Sequence, residues 1–102
     1  MAKQIIWSPL AKEVLKNILL SSLEKHKNKQ FGKTMYSLFQ NALYRVSLNP
    51  FNGQATEIDN VRYVTPHPDY TLFYRHNLQR IEVLVLWNNH YKQGKLETVK
   101  KG

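Results

Sequence analysis

Ile81-Glu82-Val83-Leu84-Val85-Leu86-Trp87 is apolar at every position but Glu82 and rich in the β-branched and aromatic residues that suit strands. Side chains alternate along a strand, so Ile81, Val83, Val85 and Trp87 fall on one face and Glu82, Leu84 and Leu86 on the other. A strand apolar on both faces belongs in the middle of a sheet, covered by other elements. The rest of the chain must therefore supply neighbouring strands and a layer to lie over them. With 102 residues, that means a single domain over residues 1–102 and one core. The chain has no cysteine. That excludes a disulfide framework, a thiolate zinc site and a cysteine nucleophile, and it points to a reducing compartment, the cytoplasm.

The elements that complete the domain are legible from punctuation and period. Lys3 to Trp7 is short, β-branched and aromatic, which predicts an opening strand that stops at Ser8-Pro9. Ser8 suits a helix cap and Pro9 the first helical position, where its missing N–H goes unused. Leu10, Val14 and Ile18, with the adjacent row Leu15, Leu19 and Leu23, form a wide stripe facing the core. The polar, basic stretch Lys25 to Gln30 and then Gly32 interrupt the pattern. It restarts with Met35, Leu38, Phe39, Ala42, Leu43 and Val46 on one face of a second helix. Asn49-Pro50-Phe51-Asn52-Gly53 ends that helix, Pro50 disfavouring helix before it and Gly53 tolerating an unusual φ. Gln54 to Asn60 reads as loop. Strands are expected around Val61–Thr65, Tyr70–Arg75 and Arg80–Asn88, joined by Pro66-His67-Pro68-Asp69 and by a hairpin at His76-Asn77-Leu78-Gln79. The segment from His90 onward is polar and basic, and residues 93–102 suit a short helix or a mobile tail. The order β-α-α-β-β-β predicts an α+β fold, a small, mainly antiparallel sheet with an N-terminal α-hairpin packed on one face. The opposite face is left for function.

The net charge is +8, with 7 basic and 2 acidic side chains in residues 1–33, 3 of each in 34–79, and 5 and 2 in 80–102. Two positive ends favour polyanions or an acidic protein partner. The opening apolar run is three residues long, too short for a signal peptide or a membrane anchor, and no other run is long enough to span a bilayer. No membrane partner is expected. His26, His67 and His76 are dispersed, without metal-ligand spacing, so neither a metal site nor a cofactor is expected.

Three stretches, in this order, resemble the RelE/ParE superfamily of type II toxin–antitoxin toxins: Ile6-Trp7-Ser8-Pro9-Leu10-Ala11, Asn49-Pro50-Phe51-Asn52-Gly53, and Tyr70-Thr71-Leu72-Phe73-Tyr74-Arg75 with the apolar strand behind it. The resemblance implies a toxin neutralised by an acidic antitoxin protein, and it offers two targets. Members of the RelE and YoeB branches are mRNA interferases that cut mRNA in the ribosome, whereas members of the ParE branch inhibit DNA gyrase without cutting RNA.

RNA cleavage without a metal needs a base for the ribose 2′-OH, cations for the phosphate and an acid for the departing 5′ oxygen. By resemblance to YoeB-like chains, Glu57 after the Pro-Phe-x-Gly turn is the candidate base. Arg62 is the candidate phosphate ligand, since a guanidinium offers two parallel bonds and keeps its charge. His90 is the candidate acid and Tyr91 a stacking residue. Arg75 and Lys92 are candidate assisting cations, because Thr71 stands where YoeB-like chains have a catalytic arginine. Each residue also has a plainer reading: a solvated loop carboxylate for Glu57, polar loop residues for His90 and Tyr91, and strand-edge charges for Arg75 and Lys92. The leading expectation is a ribosome-dependent mRNA endoribonuclease, with ribosome and mRNA as partners. A ParE-like gyrase inhibitor and a detoxified relative are the alternatives. A generic RNA-binding α+β module ranks last, for want of an RNP-like aromatic motif.

Overall fold

The computed structural model describes residues 2–26 and 30–89, the side chains of 22–26 aside. The elements run β1 (Gln4–Trp7), α1 (Pro9–His26), α2 (Gln30–Leu48), a 3-10 turn (Pro50–Asn52), β2 (Gln54–Ala55), β3 (Val61–His67), β4 (Tyr70–His76) and β5 (Arg80–Asn88). One mixed sheet has the order β1-β5-β4-β3-β2, with β1 parallel to β5 and the other pairs antiparallel. The expected α+β architecture is present, and the apolar strand β5 lies inside the sheet between β1 and β4. No helix among the described residues is long and apolar enough to cross a membrane.

Both helices lie on one face. Met35, Phe39, Leu43 and Val46 of α2 are buried against Leu72, Tyr74, Ile81, Val83 and Leu86 of the sheet. The stripe on α1 is rotated from the sequence reading. Ala11 is fully buried, with Val14, Leu15 and Ile18 packed around it, while Leu10 is exposed. Gly32 does not break α2 but lies buried in its first turn. Backbone N–H groups there have no intrahelical acceptor to lose, so glycine costs less than it does mid-helix.

Two further differences shape the sheet. Gln54-Ala55 is an edge strand, paired with Tyr63 and Arg62, where the sequence reads as loop. Strand β5 also carries a bulge: Phe73 pairs with Val85 but Tyr74 with Val83, which leaves Leu84 as an extra residue. The extra residue reverses the alternation. Ile81, Val83 and Leu86 face the helices, while Leu84 and Val85, with Trp87 beside them, join Val61 and Phe73 on the open side. The strict alternation that put Val85 and Trp87 with Ile81 and Val83 is thus corrected.

Ser8 fastens this bulge to α1. Its hydroxyl accepts from the Ala11 N–H (3.1 Å) and donates to the Leu84 carbonyl (2.7 Å). One side chain thereby caps the helix and satisfies the bulged residue. Ser8→Ala removes both bonds, and the expected loss is about 1–3 kcal/mol, read from the midpoint of urea unfolding. An unchanged midpoint would show that water replaces the hydroxyl.

Candidate functional site

On the open face, alternation brings three aromatic residues from neighbouring strands into one row. Tyr63 of β3 lies 5.5 Å from Phe73 of β4, and Phe73 lies 4.5 Å from Trp87 of β5, ring centre to ring centre. With Ala55, Thr56 and Glu57 they line an open recess of about 430 Å³. Glu57 is exposed at its rim. The loop that carries Glu57 is held by Thr56, whose hydroxyl accepts from the Ile58 N–H (3.1 Å) and lies 2.8 Å from the Val61 carbonyl. Asn60, with φ of 64°, makes the sharp return into β3. Such a recess suits a flat base with a carboxylate beside it.

At the end of β5 the chain is fixed at Asn89. Its N–H donates to the Asp69 carbonyl (2.7 Å), its side-chain NH₂ to the Pro68 carbonyl (3.0 Å), and its Oδ1 accepts from the Thr71 hydroxyl (2.8 Å). Thr71, the position at which resemblance implies an arginine, is thus a buried fastener for the segment that leads to His90. His90, Tyr91 and Lys92, together with the tail 93–102, lie outside the described residues.

Arg62 does not share the recess with Glu57. It pairs with Tyr74, which places it on the helix face of the sheet. There Nη1 donates to the Gly53 carbonyl (2.8 Å), and the guanidinium carbon sits 4.9 Å from the Phe51 ring centre. Arg75 is on the open face, where its guanidinium is 3.6 Å from the Glu82 carboxylate, both side chains being partly exposed. Tyr63, Phe73, Trp87 and Thr56 carry no chemical signature of their own in the sequence. Only the register of β3, β4 and β5 gathers the three rings, and Thr56 joins them from the loop before β3.

A second cluster surrounds Phe51 on the helix side. The His76 ring stands 5.3 Å from the Phe51 ring at 70°, so that Phe51 is contacted by both His76 and Arg62. Burial, then the positive charges of Arg62 and Lys3, hold the His76 pKa below its ordinary value. The folded chain therefore binds that proton more weakly than the unfolded chain does. Stability should rise with pH between the depressed folded pKa and the ordinary 6.5, and His76→Gln should flatten that part of the curve. Thermal unfolding across this range checks the sign. A curve unchanged by the substitution would sink the assignment.

Two solved structures share the fold of this chain. One is described as the chromosomal ParDE TA system from P. aeruginosa, with a TM-score of 0.69 and 13% identity over 85% of this chain and 96% of that one. The other is YafQ from E. coli strain BL21(DE3), with a TM-score of 0.50 and 14% identity over 86% and 94%. No protein-family model matches the chain, and no curated protein matches it. At these identities the likeness is one of fold.

Proposed function

We propose that this chain is the toxin of a type II toxin–antitoxin system and that it stops translation by cutting mRNA on the ribosome. The fold shared with the ParDE TA system structure supports the first part. The observation that carries the second is the carboxylate of Glu57 at the rim of an aromatic recess of three side chains. In this reading a base of the message stacks in the recess and Glu57 takes the proton of the ribose 2′-OH. His90 protonates the leaving 5′ oxygen, and Tyr91 and Lys92 hold the neighbouring nucleotide. Arg75 serves a flanking phosphate on the open face. Arg62, on the other face, serves a phosphate away from the scissile bond. An acidic antitoxin would be drawn by the charge of +8.

A second reading has one observation in its favour. Among the described residues, the open face offers Arg75 and Arg80 as cations, and both line one recess with Glu82, separate from the recess that Glu57 lines. That is thin support for a crowded phosphate and suits a ParE-like inhibitor of DNA gyrase, which needs no such chemistry. Primer extension on a defined mRNA in a reconstituted translation reaction, with free mRNA alongside, separates the two. Breaks confined to translating ribosomes are expected. Intact mRNA together with loss of gyrase supercoiling would transfer the assignment to the second reading.

A further inference from the structure

We propose that Phe51, Arg62 and His76 form a second binding site, on the helix side of the sheet, for one unit of single-stranded nucleic acid, its base on Phe51 and its phosphate on Arg62 and His76. The proposal rests on the reading above only in expecting RNA as the source of that strand.

Phe51 is 64% exposed, yet the turn that presents it is firmly held. Asn49 caps the turn by accepting from the Phe51 N–H (3.1 Å), Pro50 is buried, and the Tyr74 hydroxyl donates to the Pro50 carbonyl from within the core. A large aromatic ring is thus fixed in water by buried groups instead of folding inward. Arg62 lies over the ring, a cation–π arrangement. Its one hydrogen bond among the described residues is to Gly53, so most of the guanidinium's donor fork remains for an anion. His76 supplies a second ring against Phe51 and a second nitrogen donor, and Lys3 adds positive field from the segment ahead of β1. Among the described residues none of Arg62, His76 and Lys3 has a carboxylate in ion-pair range, in contrast to Arg75 on the other face.

A flat ring flanked by a guanidinium and an imidazole matches a base and its phosphate. An acidic peptide would use the nitrogen donors and have no use for the ring.

The groups that face His76 set the expected pH dependence. They are Arg62 from β3, Lys3 from ahead of β1, the Tyr74 phenol on its own strand and the uncharged Phe51 from the turn. A bound phosphate counters the first two and raises the proton affinity of His76, so binding takes up a proton and tightens as pH falls through the histidine range.

The test uses the whole protein and a fluorescent, short 2′-O-methyl oligouridylate, which lacks the 2′-OH that cleavage requires, followed by anisotropy without ribosomes. Phe51→Leu, a surface change, is expected to weaken binding about tenfold or more. Arg62→Gln should weaken it and lower the salt slope by about one. His76→Gln should abolish the tightening between about pH 8 and pH 6 while leaving binding at the higher pH in place. An equally long oligodeoxynucleotide that binds as well supports the site and shifts its source from RNA to DNA. Wild-type affinity in Phe51→Leu overturns the proposal. So does a polyglutamate peptide that competes equally, with a loss in Arg62→Gln and none in Phe51→Leu, since that pattern marks an acidic-protein surface. Intact oligonucleotide binding without cleavage on ribosomes overturns the nuclease reading alone, and the reverse overturns this one alone.

Discussion

Gly53→Ala is expected to lower the free energy of unfolding by about 2–6 kcal/mol, a large effect for adding one methyl group. The reason is not backbone strain, because Gly53 has an ordinary φ of −79°. A Cβ built there would lie 2.9 Å from the Tyr63 carbonyl oxygen and 2.9 Å from the Tyr74 ring edge, and nearer still to the Tyr74 hydroxyl. That hydroxyl accepts from the Gly53 N–H at 3.1 Å and donates to the Pro50 carbonyl, tying the 3-10 turn to the centre of β4. The methyl group must therefore push Tyr74 aside. Overpacking accounts for about 1–3 kcal/mol and the displaced buried hydrogen bonds for a similar amount. Tyr74→Phe keeps the ring and leaves the Gly53 N–H and Pro50 carbonyl without that partner, which by itself should cost about 1–3 kcal/mol. In the double variant the nearest clash is gone, so the combined loss should be smaller than the two separate losses added together. Urea unfolding of the four proteins gives the cycle. Strict additivity would show that the hydroxyl is not what excludes a side chain at position 53.

The same tether predicts an alkaline effect. Burial outweighs the Gly53 hydrogen bond and the charge of Arg62, so the Tyr74 pKa is raised above 10.0. The folded chain then holds the phenolic proton more tightly than the unfolded chain does. The associated stability is present below pH 10.0 and is lost as pH rises through the folded value. Tyr74→Phe should lack this loss.

Much of this architecture is legible in local sequence, and the exceptions have identifiable physical causes. Ser8-Pro9 marks the start of α1 because capping and the proline N–H are local effects. The row from Met35 to Val46 finds the buried face of α2 because one period runs unbroken for more than three turns. Strand β5 is recognisable as interior, but the bulge at Leu84 is not, since it is set by pairing with β4 and by the Ser8 hydroxyl from far along the chain. Gln54-Ala55 has no strand signal at all. It pairs because β3 presents an open edge to it.

The site divides in the same way. The resemblance picks out Glu57 and Arg62 by type and order, and strand pairing then sends them to opposite faces, which no spacing reveals without a register. The aromatic row of Tyr63, Phe73 and Trp87 is hidden for the same reason. In sequence these are ordinary apolar strand positions. Phe51 is the converse case, since its place in a turn motif marks it while its exposure follows only from the tether beneath it.

For the nuclease reading the sharpest expectation concerns Glu57. Glu57→Gln should slow cleavage on ribosomes by about a hundredfold or more, the loss typical of a positioned general base. The side chain is exposed, so the same substitution should move stability by less than about 0.5 kcal/mol, and a loss of activity cannot then be a loss of fold. Glu57→Asp retains a carboxylate but withdraws it from the recess and should fall between the two. His90→Gln should slow the same step by a similar factor, the loss expected of the acid that protonates the leaving oxygen. Thr56→Val tests positioning: it keeps the carboxylate and removes the hydroxyl that holds its loop, so kcat should fall while KM stays near its wild-type value. Trp87→Ala opens the floor of the recess and should act mainly through KM, because stacking binds substrate and transition state alike. If Glu57→Gln and His90→Gln both cleave at the wild-type rate, the recess is not a catalytic centre. The aromatic row would then be a contact surface, and DNA gyrase the target to assay.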